Sequence, residues 1–328
     1  MQSEFTELSK IERKEVKWLW EPFIPRGMMT IMEGDPDVGK SYLAMHLASL
    51  VSQGAVLPNG VKLKRGRVLY FSQEDDPAYT IRPRIEDMGG DLTRVKVHTG
   101  DSIFDQTGLR LFQREVWRWK PDLIIIDPLV AYISSDTDFY KSNEVRPILR
   151  AITNIAEKTN CALVPIRHLV KAKATKALYQ GGGSMDFIAF VRSALRVAHH
   201  PDDKDRRVLV HFKHNLSKRG ESMMYELVEQ GLDKRPRVEW RGKTGLTIDD
   251  LHDSGAKAPN EIDMAVSFLR QKLSKADMKA KDITLQAEAY GISERTLDRA
   301  KKTVGVISRK HGKVWFWSLP VKENPGNK

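Results

Sequence analysis

The chain has 328 residues and a formal charge of +11, and about four residues in ten are apolar. This length suits two domains rather than one, and the composition is ordinary for a globular protein with a buried core. A single cysteine, Cys161, excludes a disulfide framework and fits a reducing cytoplasm; no run of about 18 apolar residues is available to span a membrane, and the polar N-terminus lacks the pattern of a secretory leader.

Apolar runs and helix-period segments alternate through the first two-thirds of the chain. Residues 28–32 predict a short strand, and Leu43, Leu47 and Leu50 follow at helical spacing. Further strands are expected at 68–71, 95–97, 123–126 and 162–166, with helices over 109–119 and 143–158. Strands alternating with helices predict a mostly parallel sheet covered on both faces, an α/β fold. After Arg196 the pattern changes to short alternating strands at 194–198, 208–212 and 224–228, expected as an antiparallel extension of the sheet. The stretch 242–259 is rich in Gly, Asp, Ser and Lys and has no period. The expected organisation is a nucleotide-binding domain over 1–245, a linker over 246–259 and a small domain over 260–328.

That last part carries the charge. Residues 259–328 hold 14 Lys/Arg against 8 Asp/Glu, whereas the preceding 258 residues hold 40 against 35. Ile262, Ala265, Val266 and Leu269 define one amphipathic helix, and residues 283–290 a second. Gly291-Ile292-Ser293 then makes a turn with Ser293 as N-cap, and a third helix is expected over 294–303. Leu297, Ala300 and Val304 share its inner face, while Arg295, Arg299, Lys301 and Lys302 lie outside. This is a helix-turn-helix pattern. Segments 307–309 and 314–317 flank His311-Gly312 as a hairpin, with Arg309, Lys310 and Lys313 near its tip and Trp315, Phe316 and Trp317 expected in its core. A basic helix and hairpin tip suit a DNA backbone, single-stranded or duplex.

The sharpest motif is Gly34-Asp35-Pro36-Asp37-Val38-Gly39-Lys40-Ser41, which fits G-x-x-x-x-G-K-[ST] at every fixed position, between a strand and a helix. Glycines let successive N–H groups turn toward phosphate oxygens, and the helix N-terminus adds partial positive charge. Lys40 is placed to reach the β- and γ-phosphates of ATP and the Ser41 hydroxyl to ligate Mg²⁺; Tyr42, the next residue, joins the nucleotide-binding set. Leu123-Ile124-Ile125-Ile126-Asp127 is an apolar strand ending in a carboxylate, so Asp127 falls at the sheet edge where ligands of α/β folds bind and is the second magnesium-site candidate. Glu74 ends another strand and is a candidate general base for the attacking water; Asp75 and Asp76 follow it, and spacing does not separate Glu74 from Asp75. His168, after a further strand, is a candidate γ-phosphate sensor or a merely hydrogen-bonded histidine.

Taken in order, GDPDVGKS, YFSQED, LIIIDP and PIRH resemble the RecA/DnaB-like P-loop ATPases, particularly the RepA-type hexameric helicases of plasmids and their phage and mobile-element relatives. The resemblance covers roughly residues 15–230. It implies a RecA-like core, ATP bound between neighbouring subunits and a homo-oligomer, usually a hexameric ring. It also implies Glu74 as catalytic glutamate, Asp127 as Walker B aspartate and His168 as the polar residue after the next strand. Gly181-Gly182-Gly183-Ser184-Met185 followed by Arg192 is similar to the family's Gly-Ser stretch, which implies Arg192 as a finger acting on the neighbouring subunit's ATP. Lys213-His214-Asn215 resembles the K-x-[NR] element; Asn215 stands where an arginine is common, which leaves Lys213 as the cation. The loops 131–142 and 169–183 correspond to those lining the DNA path in such rings, and Lys171, Lys173 and Lys176 lie in the second. The C-terminal sequence is similar to winged-helix tails of mobile-element ATPases. The expected function is a DNA motor or helicase in replication of such an element. Its rivals are an ATP-gated DNA-binding regulator and a filament-forming recombination mediator.

Overall fold

The computed structural model describes residues 5–134, 137, 141–169, 186–230, 235–251, 261–273, 277–312 and 314–320. The chain enters through a small hairpin, β1 (Trp18–Trp20) and β2 (Ile24–Pro25), then β3 (Thr30–Gly34) and α1 (Lys40–Gln53). β4 (Val68–Ser72), α2 (Arg82–Asp87), β5 (Val95–His98), α3 (Gln106–Trp119), β6 (Leu123–Asp127), α4 (Ser142–Thr159) and β7 (Ala162–His168) follow. After the short α5 (Asp186–Phe190) come β8 (Ser193–His200), β9 (Asp203–His214), β10 (Ser222–Gln230) and β11 (Arg235–Thr244). The C-terminal part holds α6 (Glu261–Leu273), β12 (Met278–Lys279), α7 (Ala280–Ala289), α8 (Glu294–Val304), β13 (Ile307–His311) and β14 (Val314–Ser318).

Nine strands form one sheet in the order β11-β10-β9-β8-β3-β7-β6-β4-β5. Its middle is parallel and buried on both faces, which is why β6 is a continuous apolar run. Leu123 and Ile125 pack on one face with α1; Ile124 and Ile126 pack on the other with α3 and α4. The α/β fold with a mostly parallel sheet is that of a P-loop NTPase core. Three details differ from the sequence expectation. The first strand begins at Thr30 and runs to Gly34 rather than covering 28–32. And β8 is not part of the antiparallel extension: it pairs parallel with β3, Thr30 beside Ser193 and Glu33 beside Arg196, and turns antiparallel only toward β9. Its alternating sequence reads as a half-exposed strand because its far end, His199 and His200, leaves the core. The edge strand β11 was not expected at all. It pairs with β10 across a bulge at Met224/Tyr225, which breaks the strict alternation that marks a strand in sequence.

Residues 261–320 build a separate core from Phe268, Leu269, Ile283, Ile292, Leu297 and Trp317. Three helices pack beside a small sheet ordered β12-β14-β13. Ser293 caps α8, its hydroxyl accepting from Thr296 N–H at 3.2 Å. Of the three hairpin aromatics only Trp317 is core. Trp315 is half exposed, because successive strand side chains point to opposite faces.

Candidate active site

Four parallel strands end along one edge of the sheet, and their register brings the residues that follow into one place. Gly34 lies beside His168, and Ser72 beside Asp127. At Gly34 a Cβ would sit 2.2 Å from the Val197 carbonyl oxygen, so only glycine lets β8 approach here. The loop then turns through left-handed backbone at Asp37 (φ 64°) and Gly39 (φ 85°), while Val38 is buried and anchors it to the core. α1 starts at once, so its free N–H groups face the loop's concave side. The Lys40 ammonium donates to the Asp35 carbonyl at 2.6 Å. Burial pulls its pKa down to about 8, against the pull of Asp127, Asp35 and Glu74. Tyr42 lies under the Arg84 guanidinium, 4.1 Å from ring centroid to the guanidinium carbon.

Asp127 is buried at the end of β6. Its Oδ2 accepts from the Tyr70 hydroxyl at 3.1 Å, and the Ser41 hydroxyl also bonds it. Burial pushes its pKa up to about 6, against the Ser41 bond and the Lys40 charge. An all-oxygen pair, with a buried carboxylate short of positive charge, is the donor chemistry a hard dication such as Mg²⁺ takes alongside phosphate and water. Ser41 and Asp127 therefore fit that ion.

The three acids after β4 are separated by their surroundings. Asp76 caps the next turn, accepting from Ala78 N–H at 2.8 Å and Tyr79 N–H at 3.0 Å. Asp75 faces Arg84 at 3.7 Å. Glu74 points into the centre, and its Oε1 lies 3.5 Å from the Lys272 ammonium. Burial pushes the Glu74 pKa up to about 7; Lys272 pulls it down, and Asp127 and Asp75 add to the rise. His168 stacks on Tyr290 at 4.5 Å, and neither of its ring nitrogens has a hydrogen-bond partner among the described residues. Burial, Lys40 and Lys272 hold it well below the usual imidazole range, so the ring is neutral.

Two features went unread in the sequence. Glu33, one residue before the phosphate loop, is fully buried and salt-bridged to both Arg167 on β7 and Arg196 on β8. The Nε atoms of the two arginines each lie 3.1 Å from its carboxylate, and together they hold it below the usual carboxylate range. The available signal was three charges, each inside an otherwise apolar strand. The second feature is Lys272, which reaches the catalytic edge from the C-terminal part.

The remaining candidates lie elsewhere. Arg192 is exposed just before β8, and Lys213 sits beside it on β9, its ammonium held by the Ile188 and Ala189 carbonyls. Ser193 lies beside Thr30, the first residue of β3, so both cations flank the sheet edge opposite the phosphate loop. Arg295, Arg299 and Lys302 are exposed on α8, and Arg309 and Lys310 on β13. Lys171, Lys173, Lys176, Lys313 and the segment 181–185 lie outside the described residues.

Comparison with known proteins bears on this geometry. The AAA_25 family (AAA domain) matches residues 1–174, more than half of the chain. Similar curated proteins include the DNA repair protein RadA of Streptococcus pneumoniae, 25% identical over 165 residues (50% of this chain, 35% of the relative). RadA of Listeria monocytogenes is 27% identical over 152 residues, 45% of this chain and 29% of the relative. RadA of Mycobacterium tuberculosis is 26% identical over 147 residues, 44% of this chain and 28% of the relative. The matched region thus spans about a third of each relative's length. The chain belongs to the AAA_25 family, a RecA-like P-loop family, and is a P-loop ATPase.

Proposed function

We propose that this AAA_25 member is a DNA-directed ATPase that works as a ring of identical subunits and moves on single-stranded DNA in the replication of a plasmid, phage or other mobile element. One observation carries the reading: Lys40, Ser41, Glu74 and Asp127 converge at one edge of the sheet, while Arg192 and Lys213 lie at the other. A transferring phosphoryl group needs more positive charge than Lys40 alone supplies, and Arg192 can bring it only to a neighbour's site.

In this mechanism Lys40 meets the β- and γ-phosphates, whose charge restores its full ammonium character. Ser41 and Asp127 would hold Mg²⁺, which when bound would supply positive charge to the phosphate oxygens. Glu74 takes the proton from the attacking water; Asp75 and Asp76 are each engaged elsewhere, which supports this choice over Asp75. His168 reads the γ-phosphate and passes its state to the loop that follows, where Lys171, Lys173 and Lys176 contact the DNA backbone. The C-terminal part acts as a winged helix, with Arg295, Arg299, Lys302, Arg309 and Lys310 on DNA, or else binds a replication partner.

A second reading is favoured by the relatives, which are DNA repair proteins: a recombination or repair mediator, forming open filaments. The deciding experiment is ATP hydrolysis with and without single-stranded DNA, for the wild type and Glu74→Gln. The motor requires stimulation by DNA and a loss of about 10²-fold or more in kcat with Glu74→Gln, the range of a lost general base. Hydrolysis indifferent to DNA sinks it and leaves an ATP-gated DNA-binding regulator. Filaments instead of rings by negative-stain microscopy transfer the case to the mediator.

A further inference from the structure

The C-terminal part of the chain touches the two side chains that would respond to the γ-phosphate. Lys272, in the last turn of α6, brings its ammonium to 3.5 Å from Glu74 Oε1. The pair is largely shielded, with side-chain exposures of 11% for Lys272 and 15% for Glu74, so water screens it little. The ammonium is steered there by two rings of its own domain, at 5.9 Å from the Phe268 centroid and 5.7 Å from that of Tyr290. Tyr290, just past α7, in turn stacks on His168 at 4.5 Å with the rings 25° apart. α7 also packs against the Leu129–Tyr132 turn that follows Asp127. One unit thus covers the base, the sensor and the flank of the magnesium-site aspartate.

An ammonium on a general base opposes its work. At 3.5 Å it forms an ion pair with one carboxylate oxygen without a hydrogen bond, lowers the basicity of the carboxylate and sits where the attacking water would approach. The cations of the same unit on α8 and β13 are exposed with this contact in place, so the domain can hold a polyanion while seated.

We propose that Lys272 is a positioning residue for the ATPase reaction: it restrains Glu74 and makes hydrolysis depend on how the C-terminal domain is seated on the catalytic edge. This rests on Glu74 being the general base. Seated, the domain slows turnover. Unseated, it frees Glu74 and His168 together, because Lys272 lies over the rings of Phe268 and Tyr290, both part of the C-terminal core. The restraint acts on the chemical step, so it appears in kcat and not in KM for ATP.

The test uses full-length protein and the variants Lys272→Met, Lys272→Arg and Tyr290→Ala. Lys272→Met is expected to raise kcat about fivefold, on the scale of a single ammonium–carboxylate contact, with KM for ATP unchanged. Lys272→Arg keeps the wild-type rate, and Tyr290→Ala raises it through the second contact. Hydrogen exchange of amides 72–76 is expected to speed up in both Lys272→Met and Tyr290→Ala, a readout independent of turnover. A fall in kcat with Lys272→Met that Lys272→Arg restores would overturn the proposal, making Lys272 a phosphate-directed cation. Unchanged kcat and unchanged exchange would also overturn it. Failure of the underlying reading looks different: Glu74→Gln would then hydrolyse ATP at the wild-type rate, whatever Lys272 does.

Discussion

Glu33, on β3, meets two guanidinium groups and no solvent; Glu74, past the end of β4, meets one ammonium across 3.5 Å and keeps 15% of its side chain exposed. Both carboxylates lie near the same sheet edge, yet their charges are treated in opposite ways. At Glu33 the arginines outweigh the cost of burial and hold the carboxyl ionised. At Glu74 burial wins and the carboxyl becomes a weak acid, with a pKa of about 7. The first arrangement ties β7, β3 and β8 together beneath the phosphate loop. The second leaves a group poised to take a proton near neutral pH, at the cost of an incompletely paired charge.

The contrast is broken most forcefully by Glu33→Ala. It strands two arginines in the interior and is expected to cost about 3–5 kcal/mol, seen as a lowered urea midpoint. A wild-type midpoint would mean the pair is not a structural tie. Acidification separates the two groups next. A carboxyl whose folded pKa is raised loses its base form as pH falls, so with the Glu74 pKa pushed up to about 7 by burial, kcat/KM should drop about tenfold per unit below pH 7. Lys272, Asp127 and Asp75 all face Glu74. Glu33 has the opposite sign. Its folded pKa is lowered, so its contribution is present above the ordinary carboxylate range and is lost only as pH falls through that lowered value. Between pH 7 and 5 activity should fade while circular dichroism holds. Joint loss of both would refute the distinction. The smallest effect is expected from Tyr70→Phe, which removes the hydrogen bond to Asp127. It should cost about 1 kcal/mol in thermal unfolding and shift the Mg²⁺ dependence of hydrolysis to higher concentration.

What could be read from the residues alone was local. The phosphate loop, the apolar β6 ending in Asp127 and the Ser293 cap of α8 each announce themselves within a few positions, because backbone geometry and nearest neighbours dictate them. What could not be read depended on distant partners. Glu33 meets arginines 134 and 163 residues away, and Lys272 meets Glu74 from the C-terminal part of the chain. β8 looked like its successors because alternation reports burial and not the direction of a neighbouring strand. β11 was hidden by the bulge and by its position at the sheet's margin. Glu74 and Asp75 were indistinguishable by spacing and differ only in what faces them.

The placement of Arg192 and Lys213 at the start of β3, with Lys40 at its end, gives the subunit a head and a tail. If those cations serve an adjoining phosphate loop, each contact joins unlike surfaces, and the interface is heterologous. A two-fold dimer would need the cations and the phosphate loop within one self-complementary patch, which their places at opposite edges of the sheet disfavour. Assembly would have to proceed by one repeated rotation that either closes on itself or winds on without end, and a lone pair of subunits would hold one complete centre and one open end.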